Sequence, residues 1–199
     1  MLIRPKMSAF LMLAVLAGMG ACAADSADQA SPRTIQIASA ATCGIRQPVQ
    51  LDSLSGGNDR IIKIKPTALL DRAMTSPLTG WEAELRVAAI YHLDQPITAL
   101  INASSYACRN VRGGEGDGPD RISRHAKGMA FDVSGFRLGG GQTIIVAEHW
   151  GKDTKAGRFL RAAHKAACRH FDTVLGPRYN RAHRDHFHVA MGSRSGFCR

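Results

Sequence analysis

The N-terminal segment constrains the fold most, because it decides the redox environment in which the chain folds. Arg4 and Lys6 form a basic region, and residues 10–17, which follow it, are all apolar. A stretch of this length is typical of the core of a signal peptide and is too short to span a membrane as a mature helix. The sequence therefore predicts export into an oxidising compartment, where cysteines pair as disulfides.

The end of this signal resembles that of a bacterial lipoprotein. Small residues precede Cys22 in the run Met19–Cys22, so we expect residues 1–21 to be removed and Cys22 to be lipidated. Plain secretory cleavage after Ala23 or Ala24 is the alternative, because small residues also precede these positions. Ala23 differs from the Asp that retains enterobacterial lipoproteins in the inner membrane. We therefore expect a periplasmic protein anchored to the outer membrane.

The remaining cysteines are even in number. With Cys22 set aside, Cys43, Cys108, Cys168 and Cys198 remain, and in an exported chain they predict two disulfides. Four cysteines permit three pairings, and we expect Cys43 to join Cys198 and Cys108 to join Cys168. A zinc site made of the four cysteines is disfavoured, because the sequence contains no C-x-x-C pair.

Beyond the signal, the chain divides into a linker and one domain. Residues 22–42 are rich in Ala, Ser, Thr and Gln, a composition typical of a flexible tether. Residues 43–199 are sufficient for one hydrophobic core.

The apolar pattern of this domain mixes two periods. Alternation predicts strands over 60–65, 97–108, 129–138, 143–147 and 186–191. Helical spacing predicts helices over 67–73, 80–93 and 156–171, and the Gly-rich segment 109–121 is predicted to be a loop. Strands joined by hairpins, with helices outside them, indicate an α+β fold with a mainly antiparallel sheet flanked by helices.

The charge of the chain favours an anionic partner. It has 26 Lys and Arg against 16 Asp and Glu, a net charge of +10, and removal of Arg4 and Lys6 with the signal leaves +8. Export and an aromatic content of 6%, without a stripe of basic and aromatic residues, argue against nucleic acid, so a secreted histidine–metal nuclease is disfavoured. The expected partners are peptidoglycan and, through the lipid anchor, the membrane.

Two histidine and carboxylate clusters stand out in the second half of the chain. His186 and His188 would point to the same face of a strand, because side chains alternate along a strand. Asp132 lies within an apolar strand, where an unpaired carboxylate is costly to bury. Gly128 would let the chain turn so that His125 lies beside Asp132. Two histidines and one carboxylate, with a fourth position open, are the ligands of a catalytic zinc site.

These clusters resemble those of known families. The pattern from Ser123 to Asp132, Ser-x-His-x-x-Gly-x-Ala-x-Asp, followed by His186-x-His188, is similar to that of the zinc DD-peptidases, which include D-Ala-D-Ala carboxypeptidases and murein endopeptidases. A closer resemblance, over residues 43–199, is to the bacterial extensin-like C-terminal domain proteins. It rests on the motifs Ser-Tyr-x-Cys-Arg at 105–109, Leu-Gly-Pro at 175–177 and His-x-Asp-His-Phe-His at 183–188.

The resemblance implies a zinc DD-peptidase-like fold and a metal site. It assigns zinc to His125, Asp132 and His188. The implied activity is hydrolysis of a peptide bond in peptidoglycan, in a cross-link or stem peptide that contains D-Ala or diaminopimelate.

The resemblance leaves the catalytic base open. Many DD-peptidases have a Glu shortly before the last ligand, and this chain has none there. His183, His186 and Asp185 are the candidates for the base, and Arg109 is a candidate for holding the scissile carbonyl or a substrate carboxylate. The missing Glu also motivates the alternative, a non-catalytic cell-wall-binding or scaffolding module that keeps the metal site.

Overall fold

A computed structural model describes residues 43–55, 61–111, 121–192 and 196–199. All of them belong to one compact unit, Ile37–Arg199. The predicted signal (1–21), the lipidation site Cys22 and the predicted tether (22–42) lie outside the described residues, as does most of the loop predicted over 109–121. Within the described ranges, no helix has the length and apolar character needed to cross a membrane.

The described residues form an α+β fold around one eight-stranded sheet, in which most neighbouring strands are antiparallel. The strand order is β1-β2-β3-β4-β7-β6-β8, with β5 paired to β4, and only the β2–β3 and β6–β8 pairs are parallel. The strands are β1 (Pro48–Leu54), β2 (Ile62–Asp71), β3 (Ile97–Ser104), β4 (Ala130–Leu138), β5 (Thr143–Ile145), β6 (Thr173–Leu175), β7 (Phe187–Ala190) and β8 (Phe197–Cys198). The helices are α1 (Thr75–Leu93), α2 (Val146–His149) and α3 (Lys155–His170).

The prediction of a helix over 67–73 is wrong, because strand β2 continues past Pro66 to Asp71. Proline lacks the N–H that a ladder needs and is tolerated at bulges. The β1–β2 ladder is irregular here, since its pairing passes from Ala68 directly to Lys63. The Asn102 side chain donates a hydrogen bond to the carbonyl of Pro66, 3.1 Å away, so a side chain replaces part of the missing ladder.

The other predicted helices and strands differ less from the observed ones. The predicted helices over 80–93 and 156–171 correspond to α1 and α3, and the strand predicted over 143–147 ends at Ile145, where α2 begins. Strands β1, β6 and β8 were not predicted; β6 and β8 have three and two residues, too few to show a period.

The core lies between the sheet and the helices α1 and α3. Phe131 and Val133 of β4 point into it, and the Trp81 indole N–H of α1 donates to the Ala163 carbonyl of α3, 2.9 Å away. Since side chains alternate along a strand, Asp132 points to the opposite face of the sheet. The helices therefore cover one face, and the polar side chains of β4 and β7 occupy the other.

The prediction of two disulfides is confirmed, but the expected pairing is wrong. Cys43 joins Cys108 and Cys168 joins Cys198, rather than Cys43 with Cys198 and Cys108 with Cys168.

The hydrogen bonds around each cysteine explain this pairing. Gly44 and Ala107, next to Cys43 and Cys108, both donate to carbonyls of the 3-10 helix Arg124–Lys127, so they flank the same turn. Cys198 pairs with Val174 of β6, the strand that directly follows α3 and its Cys168.

Candidate metal centre

Asp132 and His188 form the floor of the centre. They are direct partners in the antiparallel ladder between β4 and β7, so both side chains point away from the core on the same face. Oδ1 of Asp132 lies 2.8 Å from Nδ1 of His188. The sequence pattern placed each of them on a polar strand face, and the register places them side by side.

His125 reaches this pair from the 3-10 helix Arg124–Lys127. The Ser123 hydroxyl oxygen caps the helix by accepting a hydrogen bond from the His125 backbone N–H, at 3.3 Å. Gly128 ends it with φ of 66°, a left-handed conformation that favours glycine. The expected turn at Gly128 is therefore present, and it leads directly into β4.

The three side chains converge closely. His125 Nε2 lies 3.2 Å from Asp132 Oδ2 and 3.2 Å from His188 Nδ1. One possible ligand atom from each residue falls within 4.8 Å of the other two. His125 Nδ1 donates to the Ser105 carbonyl, 2.6 Å away, which leaves the lone pair of Nε2 directed at the cluster.

Electrostatics keep these groups in the forms that a metal binds. Burial raises the pKa of Asp132, but its interactions with the imidazoles of His125 and His188 outweigh that effect and hold the pKa below its usual range. Burial lowers the pKa of His188, against the opposing effect of Asp132. Asp132 is thus a carboxylate and His188 favours the neutral imidazole, as metal ligation requires.

A second row of polar groups borders the cluster. His186 Nδ1 donates to Asp185, 2.8 Å away, and its Nε2 lies 3.7 Å from Asp132 Oδ1. His183 Nδ1 lies 2.6 Å from the side-chain oxygen of Asn180. Burial first, then electrostatic interaction with His188 and His186, lowers the pKa of His183 to about 4. His183 is therefore neutral at physiological pH.

A pocket of about 670 Å³ opens above the cluster. Arg109 lines it together with the histidines and donates from Nη1 to the Asn110 carbonyl, 3.3 Å away. Tyr179 and Phe197 form an aromatic wall, with ring centroids 5.7 Å apart. The structure thus brings Arg109, His183 and His186 into one pocket with the predicted ligands, and Asp185 touches it through His186.

Sequence reasoning missed several contributors to the pocket and its centre. The Ser105 carbonyl that orients His125 leaves no mark in the sequence, because it belongs to the backbone. Asn180 precedes His183 by three residues, the spacing of one turn, and that could have indicated it. Phe197 enters the pocket only because β8 pairs with β6.

The donor set fits zinc. Zinc is commonly bound by histidine nitrogens and carboxylate oxygens, and two ligand atoms of a tetrahedral site lie roughly 3.3 Å apart. The facing atoms are 2.8–3.2 Å apart, close to that spacing, with Oδ1 of Asp132 directed at His188 and Oδ2 at His125. A second group, His164 with Cys168 and Cys198, does not qualify, because its two sulfur atoms are bonded to each other.

Comparison with known proteins agrees with the closer of the two resemblances. A family described as "Extensin-like protein C-terminus" matches residues 20–199. No curated protein and no solved structure matches the chain, so neither comparison supports a relation to the zinc DD-peptidases. The match spans nearly the whole sequence, including every residue of the candidate metal centre, and the chain therefore belongs to the extensin-like C-terminus family.

Proposed function

We propose that this protein is an exported zinc-dependent peptidase that cleaves a peptide bond in peptidoglycan, in a cross-link or stem peptide containing D-Ala or diaminopimelate. The observation that carries the proposal is the convergence of His125, Asp132 and His188 at the floor of a pocket. A buried carboxylate between two histidines, open to a cavity on one side, is the arrangement of a catalytic metal site.

The three side chains would hold the metal. When bound, zinc polarises a carbonyl oxygen and lowers the pKa of a water molecule, which is the chemistry that peptide hydrolysis needs. The Ser105 carbonyl holds the proton of His125 on Nδ1 and keeps Nε2 free as a ligand atom. Asp132 is ionised and would offset part of the charge of a bound metal.

His186 is the best-placed base. Its Nδ1–H donates to Asp185, which fixes the tautomer and leaves Nε2 as a proton acceptor directed at the cluster. His186 Nε2 accepts a proton from the attacking water and later returns it to the leaving amine. His186, oriented by Asp185, would thus serve as the base, the role that a Glu has in many DD-peptidases.

His183 and Arg109 are placed to bind the substrate. His183 is neutral and, with its Nδ1 proton engaged by Asn180, offers Nε2 as an acceptor. Arg109 keeps its positive charge on the wall of the pocket, where it attracts the scissile carbonyl oxygen or a carboxylate of the peptide.

The choice of substrate rests on location and charge. The export signal, the +8 charge of the mature chain and the proposed anchor at Cys22 favour an anionic polymer of the periplasm, and peptidoglycan stem peptides carry free carboxylates. A pocket of about 670 Å³ is within the usual range for small-ligand sites, so it suits a short peptide segment.

The test is turnover of purified sacculi by the zinc-loaded protein. We expect soluble peptide fragments from the wild type, none from His125→Ala, and wild-type release from His92→Ala, a histidine of α1 outside the pocket. Metal analysis should show zinc in the wild type and in His92→Ala but not in His125→Ala. A zinc-loaded wild type that binds sacculi but releases nothing, across several cross-link types, would favour the alternative of a non-catalytic wall-binding module.

A further inference from the structure

The outer face of helix α3 is entirely basic. Every exposed residue of this helix is Lys or Arg, and the helix contains no acidic residue. These residues are Lys155, Arg158, Arg161, Lys165 and Arg169. The apolar face of α3 is buried in the core, so its cationic face is what it presents to a partner, and such a face attracts an anionic surface.

Helix α1 lies antiparallel beside α3 and adds exposed apolar side chains. Glu84, in the middle of α1, pairs with Arg169 and His170 at the end of α3. At the other end, burial first and then the charges of Arg158 and Arg161 lower the pKa of His92.

Three large apolar residues of α1 are exposed on this layer. Val87 is 71%, Ile90 50% and Tyr91 82% exposed. Their spacing of three and four residues places them on one side of the helix. The outer surface of α1 and α3, which we call the helix face, therefore combines an apolar ridge with a row of cations.

Most of the basic residues on α3 have no carboxylate partner among the described residues. Asp153 pairs with Arg158 and Glu84 with Arg169. Among the described residues, no carboxylate lies within ion-pair distance of Lys155, Arg161 or Lys165. The helix face thus keeps a net positive charge available to a partner.

We infer that the helix face rests on the surface of an anionic lipid bilayer. Cations on the rim attract lipid headgroups, and exposed apolar side chains such as Tyr91 and Ile90 enter the boundary between headgroups and acyl chains. A purely polyanionic partner would use the cations but would leave the apolar ridge in water. This inference concerns a second surface and does not depend on the proposed activity.

The sheet separates the helix face from the candidate metal centre. Helices α1 and α3 cover one face of the sheet, and Asp132 and His188 project from the other. A protein lying on its helix face would direct its pocket away from the membrane. The bilayer contact would therefore orient the site as well as hold the protein.

Vesicle co-sedimentation tests the inference. The protein is the mature chain, residues 22–199 with Cys22→Ser, so that no lipid anchor contributes. The vesicles are either phosphatidylcholine alone or phosphatidylcholine with a quarter phosphatidylglycerol. We expect binding only to the anionic vesicles, weakened roughly tenfold or more by Arg161→Glu/Lys165→Glu. Ile90→Ser/Tyr91→Ser should also weaken binding, at unchanged net charge.

The matched control is Lys63→Glu/Lys65→Glu. It makes the same change in charge on exposed residues of β2 that point away from the core. Equal binding to both kinds of vesicle, or binding to neither, would overturn the inference. So would an equal loss of binding in the control, or a loss of binding to sacculi rather than to vesicles in Arg161→Glu/Lys165→Glu. A dimer that dissociates in Ile90→Ser/Tyr91→Ser would assign the ridge to a second copy instead. Circular dichroism of each variant checks that it is folded.

Discussion

Asp132 and His188 are 56 residues apart in the chain and 2.8 Å apart in space, as opposed partners on β4 and β7. Their contact depends on strand register, because a slip of one residue would turn one of them into the core. The sheet therefore fixes the positions of two of the three proposed ligands relative to each other, and His125 comes from outside it.

Asp132→Asn should abolish stoichiometric zinc binding. The substitution keeps the shape of the side chain but removes its charge, and the amide offers one oxygen where the carboxylate offers two. We also expect the chelator-treated variant to lose about 1–3 kcal/mol of unfolding free energy, because His188 loses a charged hydrogen-bond partner. Metal analysis and urea unfolding measure the two effects. Asp52→Asn, on an exposed carboxylate, is the control and should change neither.

Asp185→Asn and His186→Ala should lower turnover without removing zinc. Loss of the proposed base His186 should reduce kcat by about 10²–10⁴. Loss of the carboxylate that orients it should reduce kcat by about 10–100-fold. Activity on sacculi, measured with metal content on the same samples, separates the two roles. Loss of zinc in parallel with activity would show instead that these residues ligate the metal.

Gly128→Ala should destabilise the fold and disturb the centre. At φ of 66° any side chain is strained, and a Cβ here would lie 2.8 Å from the backbone nitrogen of Asp71 and from the Ile45 side chain. We expect a loss of about 2–4 kcal/mol, from strain and overpacking together. Gly141→Ala, at φ of 85° with open space around it, isolates the strain and should cost only about 1–2 kcal/mol. Equal losses in urea unfolding would show that the close contact with Asp71 is unimportant.

The two disulfides should each contribute to stability. Cys43–Cys108 spans 65 residues and Cys168–Cys198 spans 30, so loop entropy gives about 4 kcal/mol for each, slightly more for the longer. Cys43→Ala/Cys108→Ala and Cys168→Ala/Cys198→Ala should each leave the other pair oxidised. Thiol counting and peptide mapping by mass spectrometry check this. A peptide that joins Cys43 to Cys198 would contradict the pairing.

Asp71 should make stability depend on acid pH. Burial raises the pKa of its carboxyl, but the backbone N–H groups of Ala73, Gln47 and Arg46 donate to it and lower that pKa below its usual value. A depressed folded-state pKa contributes stability above the unfolded value, about 3.9, that is lost as pH falls toward the folded-state pKa. Asp71→Asn should cost about 1–2 kcal/mol at pH 7, and the difference from wild type should shrink below about pH 4. Urea unfolding at several pH values measures it; a difference that does not vary with pH would contradict the assignment.

Short-range pattern was sufficient for much of the fold. The apolar spacing around Trp81 and Phe159 marked the two long helices, and alternation around Asp132 and His188 placed both on polar strand faces. Pro66 is the exception, because a local pattern marks it as the end of a strand, whereas an irregular ladder and the Asn102 side chain accommodate it in β2.

The sequence by itself determined which residues can act: their chemical type, the face of the element on which each lies and, with Cys22 set aside, an even set of cysteines. Only the tertiary structure decided their partners. It set Asp132 opposite His188, placed the Ser105 carbonyl on His125 and joined Cys43 to Cys108. The physical reason is that periodicity records how a residue is oriented within its own element, whereas pairing between distant segments depends on the order and register of the strands, which neighbouring residues do not encode.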